Sequence, residues 1–224
     1  MLRTLLLVLL GFIPSLIWLF YYLRKDCHPE PKIMIAKTMA MGILVAPLAV
    51  IAQYLFSRLG NFYWPGFNPS ASLTFFLWAA LVEEGAKFLA VRFVVLRNPA
   101  FDEPVDAMIY IIVAALGFAA VENVAAAFKA REIVFETATL RFIGATLLHT
   151  LGSGLLGYYW ARSIIENRRA LLLTGFTLAT ILHTIFNYLI IRFEPVVIPT
   201  TFLIVAAIFI LYDFEKLRHL PQGK

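Results

Sequence analysis

The chain has 224 residues, of which 61% are apolar and 15% charged, and its mean hydropathy is +0.82. Soluble domains run nearer half apolar and a quarter charged, so this composition excludes a soluble domain, a disordered chain and a collagen-like fibre. The formal charge of +5 does not point to nucleic acid. In so apolar a chain, excess Lys and Arg belong to cytoplasmic loops. A single cysteine, Cys27, excludes an internal disulfide and any cysteine-cluster metal site.

A helix needs about 20 apolar residues to cross the hydrocarbon. The sequence predicts seven such spans, over residues 4–23, 34–56, 71–91, 105–128, 134–161, 170–191 and 195–212. The first is too long for a signal peptide, and Phe20, Tyr21 and Tyr22 stand where cleavage needs small residues, so it is expected to be retained and bent at Pro14. The segment GNFYWPGFNPS (60–70) carries the aromatics and prolines of an interfacial loop. The expected architecture is an all-α polytopic bundle in a lipid bilayer, one integral membrane domain over 1–224. Eleven Lys and Arg fall after spans one, three and five and in the tail, against five, Arg131 among them, on the other side. That asymmetry places the N-terminus outside and the C-terminus inside.

Ionisable groups inside a bilayer are costly and default to functional hypotheses. Glu83, Glu84 and Lys87 lie on span three, Glu122 and Asn123 on span four, His149 on span five, and His183 with Asn187 on span six. At 1.5 Å per residue, their depths overlap near the mid-membrane and the outer leaflet, so they can converge on one cavity. Lys87 stands i+4 from Glu83 and i+3 from Glu84 and can neutralise either. The two glutamates are about 100° apart around the helix, so only one points straight inward. Phe118 and Glu122 share a face, as do His183 and Asn187. A Glu–Lys pair is also a common structural staple, Phe118 is by default packing, and Asn187 alone is ordinary helix glue. Lys37 and Arg141, near span ends, are expected to snorkel to the interface.

Two chemistries suit this set. A carboxylate can take a proton from water while His and Asn donate to an oxyanion, or Glu and His can hold a divalent metal that acidifies bound water. Either leads to peptide hydrolysis within the membrane. A proton- or ion-coupled transporter uses similar residues, and a scaffold that kept the fold without catalysis is a third reading. Spacing alone leaves these open.

EEGAK (83–87), FAAVE (118–122) and HTIFN (183–187) match EExxK, FxxxE and HxxxN patterns in order on successive helices, with His149 between. With PSLIWLFYYLRKDCHPEPK (14–32) and FDEPVDAMIYIIVAALGFAAVEN (101–123), the set resembles the PrsW family of intramembrane proteases. That family lies within the superfamily of CAAX prenyl endopeptidases and bacteriocin-processing proteins. CAAX-type members carry a His where this chain has Glu122, which argues against a prenyl-protein substrate. The resemblance implies an integral protease of a prokaryotic cytoplasmic membrane. Its substrate would be a single-pass membrane protein cut near the extracytoplasmic side, such as an anti-sigma factor. By position, it makes Glu83 the base that activates water, with Glu122 assisting or binding metal. His183, Asn187 and His149 would polarise the scissile carbonyl, and Glu84 and Lys87 would position Glu83. It allows a divalent metal such as zinc, with Glu83, Glu122, His149 and His183 as candidate ligands, or none.

Overall fold

The computed structural model describes residues 2–26, 28–130, 133–193 and 197–218. Cys27, Arg131 and the expected start of the last span at 195 lie outside them. The described residues form α1 (Leu2–Leu23), α2 (Lys32–Tyr63), α3 (Leu73–Val95), α4 (Asp106–Ala130), α5 (Val134–Ile143), α6 (Ala145–Ile165), α7 (Arg169–Arg192) and α8 (Val197–Arg218), with no strand among them. Helices α1, α2, α4, α7 and α8 are long and apolar enough to cross a membrane. Helices α3 and α6 have 23 and 21 residues, enough length, and carry the polar groups of the interior. The chain is a multi-pass membrane protein. Helix α1 continues unbroken through Pro14, and α2 through Pro47.

The expected single span over 134–161 is instead two helices. Gly144 breaks it, with ψ −95° outside the helical region. A Cβ at that position would lie 2.8 Å from the Leu140 carbonyl oxygen, so the turn needs glycine. Helix α5 rises only about 15 Å, half the hydrocarbon thickness. The apolar run hid this break, because Glu136 and Arg141 make α5 amphipathic without interrupting its hydropathy.

Helix α4 is the hub. From Asp106 to Ala120 every residue is buried, and it packs on α1, α2, α3, α5 and α6. No charge interrupts it between Asp106 and Glu122, and a helix apolar on every face belongs in the interior. Its closest neighbour is α2. A Cβ on Gly42 would come within 2.0 Å of the Ala114 carbonyl oxygen, and one on Gly117 within 2.2 Å of that of Met39. Such backbone contact is what small residues provide where no hydrophobic force drives helices together.

One end of the bundle is fastened by charge. Tyr110 donates to Glu30, His28 Nδ1 pairs with Glu103 at 2.9 Å, and Lys25 meets Glu215 at 3.7 Å. Asp106 starts α4 by accepting the backbone N–H groups of Asp102 and Glu103 at 2.9 and 2.7 Å. Burial pushes the Glu30 carboxyl above the ordinary carboxylate range.

Gly117→Val is expected to destabilise the bundle by about 1–3 kcal/mol or more through overpacking against α2. Gly85→Ala, where an added Cβ meets nothing within 4 Å, leaves stability unchanged or raised. Thermal unfolding of the detergent-solubilised variants measures both.

Candidate active site

Ser72 caps α3 by accepting the Phe75 N–H at 3.3 Å, and three turns on the helix delivers Glu83, Glu84 and Lys87 into the interior. Lys87 and Glu84 are completely buried and Glu83 is 5% exposed. Glu84 spends both oxygens on structure. Oε1 accepts from Lys87 Nζ at 2.8 Å and from His183 Nδ1 at 3.0 Å, and Oε2 accepts from Ser153 Oγ at 2.8 Å. One carboxylate thereby ties α3 to α6 and α7. The Lys87 ammonium lies 4.8 Å from the Phe118 ring centroid, a cation–π contact.

Glu83 points elsewhere, as the 100° offset requires. Its Oε1 accepts from Gln53 Nε2 on α2 at 2.8 Å. Its Oε2 is buried with no hydrogen-bond partner, and faces His183 Nε2 at 3.6 Å and His149 Nδ1 at 4.0 Å. The partners assign the tautomers. His183 donates its Nδ1–H to Glu84, and His149 donates its Nε2–H to Glu122 Oε2 at 2.9 Å. Each imidazole therefore turns a lone pair toward Glu83. One oxygen of Glu83 and one nitrogen of each histidine all lie within 4.8 Å of one another. A carboxylate behind each histidine is the usual outer shell of a metal-ligating imidazole. One carboxylate and two imidazoles suit a divalent cation such as zinc. Lys87 Nζ also donates to His149 Nδ1 at 2.9 Å, so the ammonium and a metal compete for that lone pair.

Glu122 stands outside this donor set, on the far side of His149. Its Oε2 also accepts from Arg141 Nη2 at 3.1 Å, while Arg141 Nε donates to Asn123 Oδ1 and Asn123 donates to Thr146 at 3.0 Å. Arg141 was expected to reach for the interface. It turns inward because a partly buried carboxylate needs a counter-charge more than the guanidinium needs water.

These groups line a cavity of about 310 Å³, toward the C-terminal ends of α4 and α7. Glu83, His149 and His183 form its floor, with Glu122, Arg141 and Asn187 on its walls. Asn187 makes no hydrogen bond among the described residues and keeps its amide free. Of the residues singled out from the sequence, Glu83, Glu122, His149, His183 and Asn187 line the cavity, while Glu84, Lys87 and Phe118 stand behind them. Gln53 and Ser153 were missed, although Ser153 lies one turn from His149 and Gln53 is an amide in an apolar span.

Residues 30–212 match the profile described as "PrsW family intramembrane metalloprotease". The chain belongs to the PrsW family. It is 30% identical to Protease PrsW of Geobacillus kaustophilus over 177 residues, 78% of this chain and 75% of that protein. Protease PrsW of Oceanobacillus iheyensis is 28% identical over 92% of this chain and 93% of its own length. Protease PrsW of Bacillus subtilis is 23% identical over 80% of each. No solved structure matches. PrsW membership makes the chain an intramembrane protease, and the metalloprotease description agrees with the Glu–His–His cluster.

Gln53→Leu should leave Glu83 Oε1 without its donor and loosen the cluster. Titration of the purified protein with Co²⁺ is expected to show about 10–100-fold weaker binding, the usual cost of losing an outer-shell partner.

Proposed function

We propose that this chain hydrolyses a peptide bond of a single-pass membrane protein near its extracytoplasmic face, at a centre built on Glu83, His149 and His183. An anti-sigma factor is the substrate class that the family resemblance implies. The observation that carries the reading is the bare Oε2 of Glu83, buried without a donor and facing the His183 Nε2 lone pair and the His149 Nδ1 that Lys87 also meets. A buried carboxylate oxygen without a donor is costly unless something positive reaches it, and the Lys87 ammonium, which meets His149 Nδ1, makes no hydrogen bond to it.

Glu83 Oε2, His149 Nδ1 and His183 Nε2 would hold the divalent ion, zinc being the natural candidate. Bound there, it would acidify a water and polarise a carbonyl. With Glu83 used as a ligand, the proton work passes to Glu122. Its Oε2 is pinned by His149 and Arg141, while Oε1 makes no hydrogen bond among the described residues, on a side chain that lines the cavity. Oε1 takes the proton of the attacking water and returns it to the leaving amine. The free Asn187 amide donates to the oxygen of the scissile carbonyl as charge builds there. Glu84 and Glu122 hold the two imidazoles in the required tautomers, and Lys87 neutralises Glu84.

Eleven basic residues against five support an outside N-terminus. The cavity then lies in the outer half of the membrane, toward the C-terminal ends of α4 and α7.

The test compares the N-termini of membrane proteins in cells expressing wild type, Glu83→Gln or Glu122→Gln at matched levels. New termini near the outer ends of single-pass helices are expected with wild type alone. Metal analysis of the purified proteins separates the roles: Glu83→Gln should lose the ion, while Glu122→Gln keeps it and loses turnover by about 10²–10⁴-fold. Identical terminus profiles from wild type and Glu83→Gln, with both proteins inserted and folded, would rule out proteolysis at this centre.

A further inference from the structure

Helix α3 carries Glu83, Glu84 and Lys87 in its middle and is not among the helices apolar enough to span a membrane by themselves. Its place in the bilayer therefore depends on what it contacts. At its C-terminal end lies a second cleft, of about 510 Å³, remote from the cavity described above. Leu89, Phe93 and Leu96 give this cleft apolar walls, and Arg92, Arg97 and Asn98 give it polar ones. Asn98 is spent on structure. Its Nδ2 donates to Met34 Sδ on α2 at 3.2 Å, and its Oδ1 accepts the Ala100 N–H at 3.0 Å. The two guanidiniums are not spent. Lys25 meets Glu215, and Arg162 and Arg168 meet Glu166, whereas Arg92 and Arg97 make no ion pair or side-chain hydrogen bond among the described residues. Two like charges facing one cleft repel until an anion joins them. A guanidinium takes phosphate oxygens through paired N–H donors.

The apolar walls continue up the helix. Leu81, Gly85, Leu89 and Phe93 follow one another at i+4 and so share a face. Leu81 is 46%, Leu89 65% and Phe93 83% exposed, and a Cβ on Gly85 would meet nothing within 4 Å. The result is an open apolar track with a shallow step at the glycine. From Phe93 back to Leu81 it runs about 18 Å at 1.5 Å per residue, against about 15 Å for the hydrocarbon of one leaflet. A free phosphate would gain nothing from this track. A phospholipid uses both halves, the basic cleft for its phosphate and the track for a chain. On the orientation proposed above, the cleft lies at the cytoplasmic surface, the level of the inner-leaflet headgroups.

We propose that this cleft binds an anionic phospholipid, its phosphate diester between Arg92 and Arg97 and one acyl chain along Leu81, Gly85, Leu89 and Phe93. The inference does not rest on the proteolytic reading, but it bears on that site. Arg92 follows Glu83 by nine residues, about 14 Å along the helix. A lipid held there fixes the depth at which α3 carries Glu83.

The experiment incubates the full chain, purified in dodecyl maltoside, with dioleoyl-phosphatidylglycerol or dioleoyl-phosphatidylcholine and reads the retained lipid by native mass spectrometry. Wild type is expected to prefer phosphatidylglycerol by about tenfold or more, and the double variant Arg92→Gln/Arg97→Gln to lose that preference. Arg24→Gln/Arg169→Gln removes the same charge from two other exposed positions and should keep it. Equal loss in both double variants reduces the effect to general surface charge and overturns the proposal, as does an unchanged preference in Arg92→Gln/Arg97→Gln. Glycerophosphoglycerol, the headgroup without its chains, should not displace the lipid. Displacement at equal concentration makes a free phosphate compound the occupant and overturns the lipid. Position is read on wild type, so that no variant has to fold. Phosphatidylglycerol with a diazirine on its acyl chain should leave adducts within residues 81–96, and adducts confined elsewhere overturn the track. A wild-type dimer that retains no lipid would make a second copy the occupant and overturn the proposal as well.

Discussion

The Glu84 carboxylate holds the interior together. Its oxygens take Lys87 from its own helix, Ser153 from α6 and His183 from α7, with no surface left to solvent. A carboxylate and an ammonium buried this completely are tolerated only because every contact is made. Removing one partner from such a pair costs about 3–5 kcal/mol, since it strands the other charge. The geometry of the site follows from that demand. Fixing His183 through Nδ1 sets the direction of Nε2, and fixing α6 through Ser153 sets where His149 can stand. Glu83, one residue earlier, is freed from structural duty because Glu84 performs it.

The two adjacent glutamates thus divide their labour by direction. The 100° step between neighbours on a helix sends one toward the α6–α7 seam and the other toward α2 and the cavity. On α2 it meets Gln53, which saturates one oxygen and leaves the second bare. The same asymmetry recurs at Glu122, pinned through one oxygen by His149 and Arg141. Positioning and reactivity therefore sit on different atoms of the same side chains. The family assignment decides for proteolysis over the transporter and scaffold readings that spacing alone left open.

Much of this was legible in the sequence. Hydropathy marked the helices, and the cost of membrane charge singled out Glu83, Glu84, Lys87, Glu122, His149 and His183. The i+3 relation of Glu84 and Lys87 anticipated the observed pair. Three things were not legible. The break at Gly144 is a matter of one backbone angle within a run that stays apolar on average. The inward turn of Arg141 depends on Glu122 and Asn123 standing within its reach, which only the packing of α5 on α4 reveals. Gln53 becomes meaningful only because α2 passes beside α3, a distance of 30 residues along the chain.

The order of these contacts along the chain has a consequence for how the protein is made. His183 follows Glu84 by 99 residues, and at about 5–20 residues per second that is a wait of about 5–20 s. Ser153 arrives earlier but still a helix pair late. Throughout, Glu84 is already matched by Lys87, because that partner rides on the same helical turn and enters the bilayer with it. The helix carrying the reactive carboxylates can thus be inserted before its histidines exist. The centre proposed here stays incomplete until α7 has joined the bundle, so on that proposal a half-made chain has no means of cutting its neighbours in the membrane.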